Sequence, residues 1–474
     1  MKVRFPAVMV TVLLAAACIA SAAPGPPRTD EERARALEAL IAQRAVPTVQ
    51  ANVGVTTRPV FSAAALIRSA ERGRNGTAQG SGALLDRCHV LTAAHVVVPT
   101  GRTNSMAHGY PDDIDVFLGG EAMPPGGASM LATPEQLSAA FSIHVKGIIL
   151  ATGVTSLRVD GDDDYDPPAV DWAVLQISPC VDSIRPLALQ AGPDVVLPTD
   201  SRISLMGFPG IGRIGEIRVA EQCPVADHRG NRTLVGDCEL SPGMSGGPIV
   251  AGQLGPDARV VGIIAEGITG GAGAYVMIES VVPARLALEM AVAHRVASAA
   301  DVRTVQRLLS QAGFAVQVTG IEDNQTRAAI WRFQQSMFRE QNSKRSAPIE
   351  FRLQTYVTPS LEDSLRGRLG EKIGFRLANR AFCGGDRRVA FGLSEDGRHY
   401  TMQLGDGAAE QIAIRTAIGG MTFSVVPVDR QRVTYLFGVI DEDHAVFESV
   451  YDSDKVAGSG TWRATDVAVV MHKC

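Results

Sequence analysis

The chain has 474 residues, too many for one ordinary core, and its length alone suggests two to four domains. With 46% apolar and 20% charged residues it has the composition of a soluble globular protein. Its net charge of −5, with no basic concentration along the chain, argues against nucleic acid as the main partner.

The opening residues, "MKVRFPAVMVTVLLAAACIASAA", place Lys2 and Arg4 before a short apolar run and small residues around Ala20, Ser21 and Ala22. That is the layout of a secretory signal peptide over residues 1–22, with cleavage expected after Ala22. A rival reading takes Cys18 as a lipoprotein site, although the position three before it is alanine and not leucine. No apolar run of spanning length follows, so the mature chain is expected to lack a transmembrane segment and to be periplasmic or secreted. Residues 23–57 hold a proline-containing linker and "TDEERARALEALIAQRA", an amphipathic helix that Thr29 or Asp30 can cap. It reads as a packing arm, with an inhibitory pro-segment as the sharper alternative.

Residues 58–297 are a succession of short apolar runs punctuated by Gly, Pro, Asn and Asp, among them "GSGALL", "HVLTAAHVVV", "DIDVFLG", "DWAVLQI", "RISLMGFPG" and "AYVMIES". This texture predicts an all-β barrel or sandwich. The region ends in a helical period, "VVPARLALEMAVAHRVASA", with Pro283 near its first turn. Residues 298–367 are helical in pattern: "DVRTVQRLLSQAGF", "NQTRAAIWRFQQSMF" and, after a polar insert, "VTPSLEDSL". Residues 368–474 return to alternation and glycine turns, so a small antiparallel β domain is expected to close the chain. The fold class is therefore mainly β with a small helical domain between two β regions.

Of the seven cysteines, Cys18 falls in the signal segment, and six remain. An even number in an exported chain favours disulfides, though six cysteines allow 15 connectivities. Position along the chain favours Cys88–Cys180, Cys223–Cys238 and Cys383–Cys474.

Three islands carry reactive side chains: "HVLTAAHVVV" with His95, "DWAVLQI" with Asp171 and "PGMSGGPIV" with Ser245. Serine hydrolysis needs a hydroxyl beside an imidazole base, a carboxylate that fixes the imidazole tautomer, and amide donors for the oxyanion. Gly243, Gly246 and Gly247 permit the sharp turn that presents Ser245, and the amides of Gly243 and Ser245 can converge on one oxygen. His89 reads as a structural or surface imidazole. The acidic run from Asp160 to Asp171 could suggest calcium but reads better as a solvated loop, so neither metal nor cofactor is expected.

These islands resemble the trypsin/chymotrypsin-like serine peptidases. "LTAAH" matches the motif ending in the catalytic histidine, "DWAVL" that of the catalytic aspartate and "GMSGGP" that of the nucleophile, in the family's order. The resemblance implies a two-barrel fold, a protein or peptide substrate, catalysis by His95, Asp171 and Ser245, and an oxyanion hole from Gly243 and Ser245. It also implies that Ala265, Glu266 and Gly267 lie along bound substrate, with Gly273 and Tyr275 on the far wall of the specificity pocket. Glu239 falls at the pocket base, where an acid favours cleavage after Arg or Lys; a rim glutamate beside a disulfide is the alternative. Met244 stands where zymogen-activated members carry an aspartate that pairs with a new N-terminus. Methionine forms no such ion pair, so other contacts must hold the oxyanion hole.

The helical region resembles the peptidoglycan-binding three-helix domain through "VQRLLSQAGF" and "TGIEDNQTRAAIWRFQQ". Thr326 or Asp323 is expected to cap its second helix, with Val305, Leu308, Leu309, Ile330 and Phe333 in its core. The insert from about Arg339 to Thr355 departs from that family. The sequence thus points to an exported serine endopeptidase tethered to peptidoglycan, with an inactive peptidase homologue that binds the cell envelope as the alternative.

Overall fold

The computed structural model describes residues 59–70, 77–98, 113–120, 132–153, 171–190, 201–210, 213–229, 232–235, 240–255, 257–270, 273–280, 297–342, 352–370, 379–384, 387–394, 399–416, 422–429, 433–439, 444–452 and 469–474, with a few single positions between them. All belong to one unit, Gln50–Cys474. The expected signal peptide, the arm helix, the acidic run at 160–168 and the helical period around Pro283 lie outside the described residues.

The first sheet follows a turn of helix, α1 (Pro59–Ser62). It contains β1 (Ala64–Ala70), β2 (Thr77–Leu84) and β3 (His89–Thr92), then α2 (Ala94–Val97), β4 (Asp113–Gly120), α3 (Pro134–Ala140), β5 (Phe141–Gly153) and β6 (Ala173–Ser178). Strand order is β5-β4-β1-β2-β3-β6, and a further β5–β6 pairing closes the ring. The second sheet comprises β7 (Ala188–Leu189), β8 (Arg202–Gly207), β9 (Arg218–Arg229), β10 (Arg232–Val235), β11 (Pro248–Ala251), β12 (Arg259–Gly270) and β13 (Gly273–Ser280). It closes in the same way, in the order β11-β8-β9-β10-β13-β12 with a β11–β12 pairing, while β7 lies parallel on β12. The expected all-β region is thus two closed rings of antiparallel strands. The run "HVLTAAHVVV" is not one strand: β3 stops at Thr92 and α2 begins at Ala94.

α4 (Ala299–Gln311), α5 (Asn324–Asn342), β14 (Arg352–Gln354) and α6 (Pro359–Arg368) follow. Asp323 is the residue that caps α5, its carboxylate accepting the Thr326 amide at 2.8 Å, and Thr358 caps α6 by accepting the Leu361 amide. Val302, Val305, Leu308 and Leu309 of α4 meet Ala329, Ile330 and Phe333 of α5 and Leu361 and Leu365 of α6. α5 has a second apolar side, where Ala328 and Trp331 join the core of the first barrel.

Gln306, fully buried, locks the α4–α5 connection. Its Nε2 reaches Thr319 Oγ1, Ile321 O and Thr326 Oγ1 at 3.1, 3.0 and 2.9 Å, and its Oε1 accepts the Thr319 and Gly320 amides at 2.9 Å each. Gln306→Leu strands both amides. It is expected to lower stability by about 1–3 kcal/mol in denaturant unfolding of the full chain: each lost hydrogen bond is worth about 0.5–1.5 kcal/mol, and with Thr319 exposed and Gly320 half-buried water partly replaces them.

The last eight strands are β15 (Arg380–Gly384), β16 (Arg387–Leu393), β17 (Tyr400–Leu404), β18 (Glu410–Thr416), β19 (Thr422–Pro427), β20 (Val433–Val439), β21 (His444–Asp452) and β22 (Val469–Lys473). They pair in sequence order, and β15–β22 pairing makes the expected antiparallel domain a closed barrel. Period-2 alternation drives this, as in β16, where Val389 and Phe391 point inward. Phe382, Phe391, Met402, Phe437, Phe447 and Met471 fill the interior. An eight-stranded barrel is just wide enough for such side chains.

Disulfides join Cys88 to Cys180, Cys223 to Cys238 and Cys383 to Cys474, with Cα–Cα separations of 4.5, 5.8 and 5.3 Å. The last ties the barrel's two closing strands together. No helix among the described residues is long and apolar enough to cross a membrane.

Candidate active site

Strand register brings His95 and Asp171 together. β3 and β6 run antiparallel with Thr92 opposite Ala173. Moving three residues on from Thr92 and two back from Ala173 leads toward the same end of the pair. Ala93 is extended, α2 then makes a single turn, and its Ala94, Val96 and Val97 are buried, which leaves His95 on the outward side. Ser69 Oγ donates to Val96 O at 2.7 Å and anchors that turn. Asp171 grips His95 at two points: Oδ2 lies 2.6 Å from the ring Nδ1, and Oδ1 accepts the His95 backbone amide at 2.9 Å. The Asp171 side chain is 12% exposed and that of His95 is 32% exposed. The carboxylate is therefore shielded while the imidazole still opens outward.

Ser245 lies in the tight connection into β11. The Gly246 amide donates to Ile264 O at 2.6 Å and Ile264 N to Gly247 O at 2.9 Å, which stitches the loop onto β12. Gly243 and Gly246 have φ of +94° and +83°, a region that favours glycine. A Cβ at Gly246 would strike Ser81 O and Thr92 Oγ1, and one at Gly80 would lie 2.9 Å from Ser245 O and against Val96. These close approaches set the serine loop against the histidine turn.

Backbone bonds orient the two amides named for the oxyanion hole. The Gly210 amide donates to Pro242 O at 2.6 Å, and the Gly247 amide donates to Met244 O at 2.9 Å. In a trans peptide C=O and N–H point opposite ways. The Gly243 N–H is therefore turned away from Gly210, and the Ser245 N–H away from Gly247.

Met244 is 1% exposed and packs with Leu205, Cys223, Cys238 and Ile249. Its amide donates to Ser241 O at 3.1 Å, and its sulfur accepts the Ser241 amide at 3.4 Å. Arg218 Nη1 holds Ser241 Oγ at 2.5 Å. Apolar burial thus stands in place of an ion pair.

Ser81, fully buried on β2, was not singled out by the sequence although it sits within the run "GSGALL". Its amide donates to Ser245 O at 2.7 Å, its Oγ donates to Gly243 O at 2.9 Å and accepts the Phe208 amide at 2.8 Å, and its carbonyl accepts Thr92 Oγ1 at 2.7 Å. One residue of the first barrel thereby ties the serine loop of the second to the strand that leads to His95.

Ala265 is buried at a register shift in β12, while Glu266 and Gly267 pair with Met277 and Val276 of β13. Gly273 and Tyr275 lie on β13, and Glu239 lies outside the described residues. His89 stands apart, its Nδ1 2.7 Å from Asp86 Oδ2. Burial works to raise the Asp86 carboxyl, but the bonds from His89 and the Cys88 amide hold it below the usual range.

Residues 80–263 match the family model described as "Trypsin-like peptidase domain", and residues 298–341 match "Putative peptidoglycan binding domain". Similar solved structures include the active form of the Rv3671c protease from M. tuberculosis, at 16% identity and TM-score 0.31, covering 48% of this chain and 81% of that one. Another is a Glu endopeptidase in complex with MPD, at 14% identity and TM-score 0.34, covering 50% and 94%. A thermostable serine protease, AL20, from an extremophilic microorganism aligns at 13% identity and TM-score 0.33, covering 47% and 92%. No curated protein matches the chain. Residues 80–263 thus form a trypsin-like peptidase domain, and residues 298–341 a peptidoglycan-binding domain.

Proposed function

We propose that the chain is an exported serine endopeptidase that hydrolyses peptide bonds through His95, Asp171 and Ser245 and is held at the cell wall by its helical domain. The observation that carries this reading is the two-point grip of Asp171 on His95. With Nδ1–H donated to Asp171, Nε2 is left as the base. It takes the Ser245 proton as Oγ attacks the scissile carbonyl, and the amides of Gly243 and Ser245 stabilise the oxyanion. His95 then returns the proton to the leaving amine, and water repeats the sequence on the acyl-enzyme. By the resemblance to trypsin-like peptidases, Glu239 takes the position of the acid at the pocket base, and on that reading cleavage after Arg or Lys is expected. Export is supported by the amino-terminal pattern and by three disulfides, which persist in oxidising compartments.

Cleavage-site profiling on a peptide library tests the reaction. The wild type is expected to cleave, with Arg or Lys before the cut bond, and Ser245→Ala is not. Equal cleavage by both proteins would refute the nucleophile, and indifference to the residue before the cut would refute the role of Glu239. Retention of the full chain on purified sacculi, released by soluble glycan-peptide fragments, is the expected result for the wall contact; flow-through of the folded chain would sink it. Retention without hydrolysis would instead favour an inactive homologue that binds the envelope.

A further inference from the structure

The segment between α5 and α6 forms a strand that pairs with the peptidase. β14 runs antiparallel to β5, with Arg352 opposite Gly153, Leu353 opposite Thr152 and Gln354 opposite Ala151. The pairing of β4 with β5 ends at Asp115–Lys146, and β14 takes up the edge of β5 beyond it. Thr355 extends the contact, its amide donating to Leu150 O at 3.0 Å and its hydroxyl to Ile149 O. From the helical side, Gln334 Oε1 accepts the Gln354 amide at 2.9 Å, and Arg327 Nη1 reaches Thr355 Oγ1 at 3.5 Å. Trp331, 2% exposed, packs into the barrel core from α5. As a result β5, which shows exposed positions up to Lys146, is buried without a break from Ile149 to Gly153.

On its other edge the same stretch meets β6, with Ala151 opposite Val174 and Thr152 opposite Ala173. The Gly153 amide donates to Trp172 O at 2.9 Å, and the residue before Trp172 is Asp171. The end of β5 is therefore clamped between β14 and the backbone that leads into the carboxylate.

We propose that β14 and Thr355 are positioning elements for Asp171, so that the helical domain is part of the catalytic apparatus and not a detachable anchor. The proposal rests on the reading of Asp171 as the group that orients His95. Without β14 and Thr355, the Ile149 and Leu150 carbonyls lose partners in a buried strand end, and the end of β5 is free to shift. Displacing a reacting group by about 1 Å can cost about 100-fold in rate, so a small shift at Asp171 suffices.

The test uses the full-length protein. Thr355→Val keeps the side-chain volume and removes the donor, Thr355→Ser restores the donor, and Trp331→Phe loosens the packing while keeping the backbone pairing. For each, kcat and KM are measured on a peptide that the wild type cleaves, and the low-field proton resonance of the His95–Asp171 hydrogen bond is followed by NMR. Thr355→Val is expected to lower kcat about tenfold or more, with KM unchanged within about twofold, and to shift or broaden the resonance. Thr355→Ser is expected to return both to the wild-type range. If Thr355→Val and Trp331→Phe lower the melting temperature while kcat and the resonance stay at wild-type values, the proposal is overturned and the helical domain merely stabilises. Should Thr355→Val not fold, Trp331→Phe carries the same readouts with the same two outcomes. A folded wild type that a fluorophosphonate fails to label overturns the triad reading and this proposal together, whereas a labelled wild type with unaffected variants overturns this proposal alone.

Discussion

Replacing Asp171 by asparagine is expected to lower kcat by about 10⁴-fold while Ser245 stays in place. The size of the effect follows from how the carboxylate is used. One oxygen accepts the His95 amide and the other faces Nδ1, so both partners need an acceptor. Asparagine has a single acceptor oxygen. If that oxygen keeps the amide, the side-chain NH₂ faces Nδ1 and forces the proton of the neutral ring onto Nε2, where a base is needed. If the amide group flips, the backbone bond that seats α2 is lost. Steady-state kinetics with a cleaved peptide, together with a thermal melt, separates this from unfolding. A melt near that of the wild type with kcat within tenfold of it would remove Asp171 from the mechanism.

Ser81→Ala carries the second large effect, at a residue whose own hydroxyl bonds Gly243 and Phe208 and none of the three proposed catalytic side chains. Its Oγ bonds Gly243 O and Phe208 N, and that pair of bonds bridges the serine loop to the strand end at Phe208. Removing it leaves the Phe208 amide without its acceptor, a stability cost of about 1–3 kcal/mol. It also frees the carbonyl side of Gly243, whose amide is one of the two proposed oxyanion donors. Loss of an oxyanion donor costs about 10²–10³-fold in kcat, so loosening one is expected to cost about tenfold or more, with little change in KM. Ser81→Thr, which keeps the hydroxyl, is expected to retain more activity than alanine if its methyl group is accommodated. An alanine variant with wild-type kcat would show that Gly210, Met244 and Gly247 hold the loop unaided.

These two residues also mark what the sequence made legible. Asp171 and His95 stand 76 positions apart, yet the order and wording of "LTAAH", "DWAVL" and "GMSGGP" sufficed to name them, because each motif keeps its own short backbone path. Ser81 was not named, since nothing in "GSGALL" tells which of its small residues faces another barrel. That information sits in the approach of the two barrels. The turn at Ala94–Val97 was hidden for a related reason: its residues are apolar and β-branched enough to continue a strand, and the anchor from Ser69 lies on another element.

The helical domain shows the same limit from the other direction. Ile330 and Phe333 were legible as core by their spacing, and they do pack with α4 and α6. Trp331, between them in sequence, faces the opposite side of α5, and a helical period cannot say what covers a second apolar side. The run "GIILATG" in β5 carried a matching signal, an unbroken apolar stretch that implies burial on both faces without naming the cover. In the last domain, alternation marked strands, but closure depended on β15 meeting β22 across the length of the barrel. Cys383 and Cys474 were the one local hint of it.

The most direct test of the account is covalent labelling of the folded full-length chain with a fluorophosphonate, read by peptide mass spectrometry. A single adduct is expected, on Ser245, absent from Ser245→Ala and formed more slowly in Asp171→Asn. A folded wild type that stays unlabelled, or one labelled at a different serine, would contradict it.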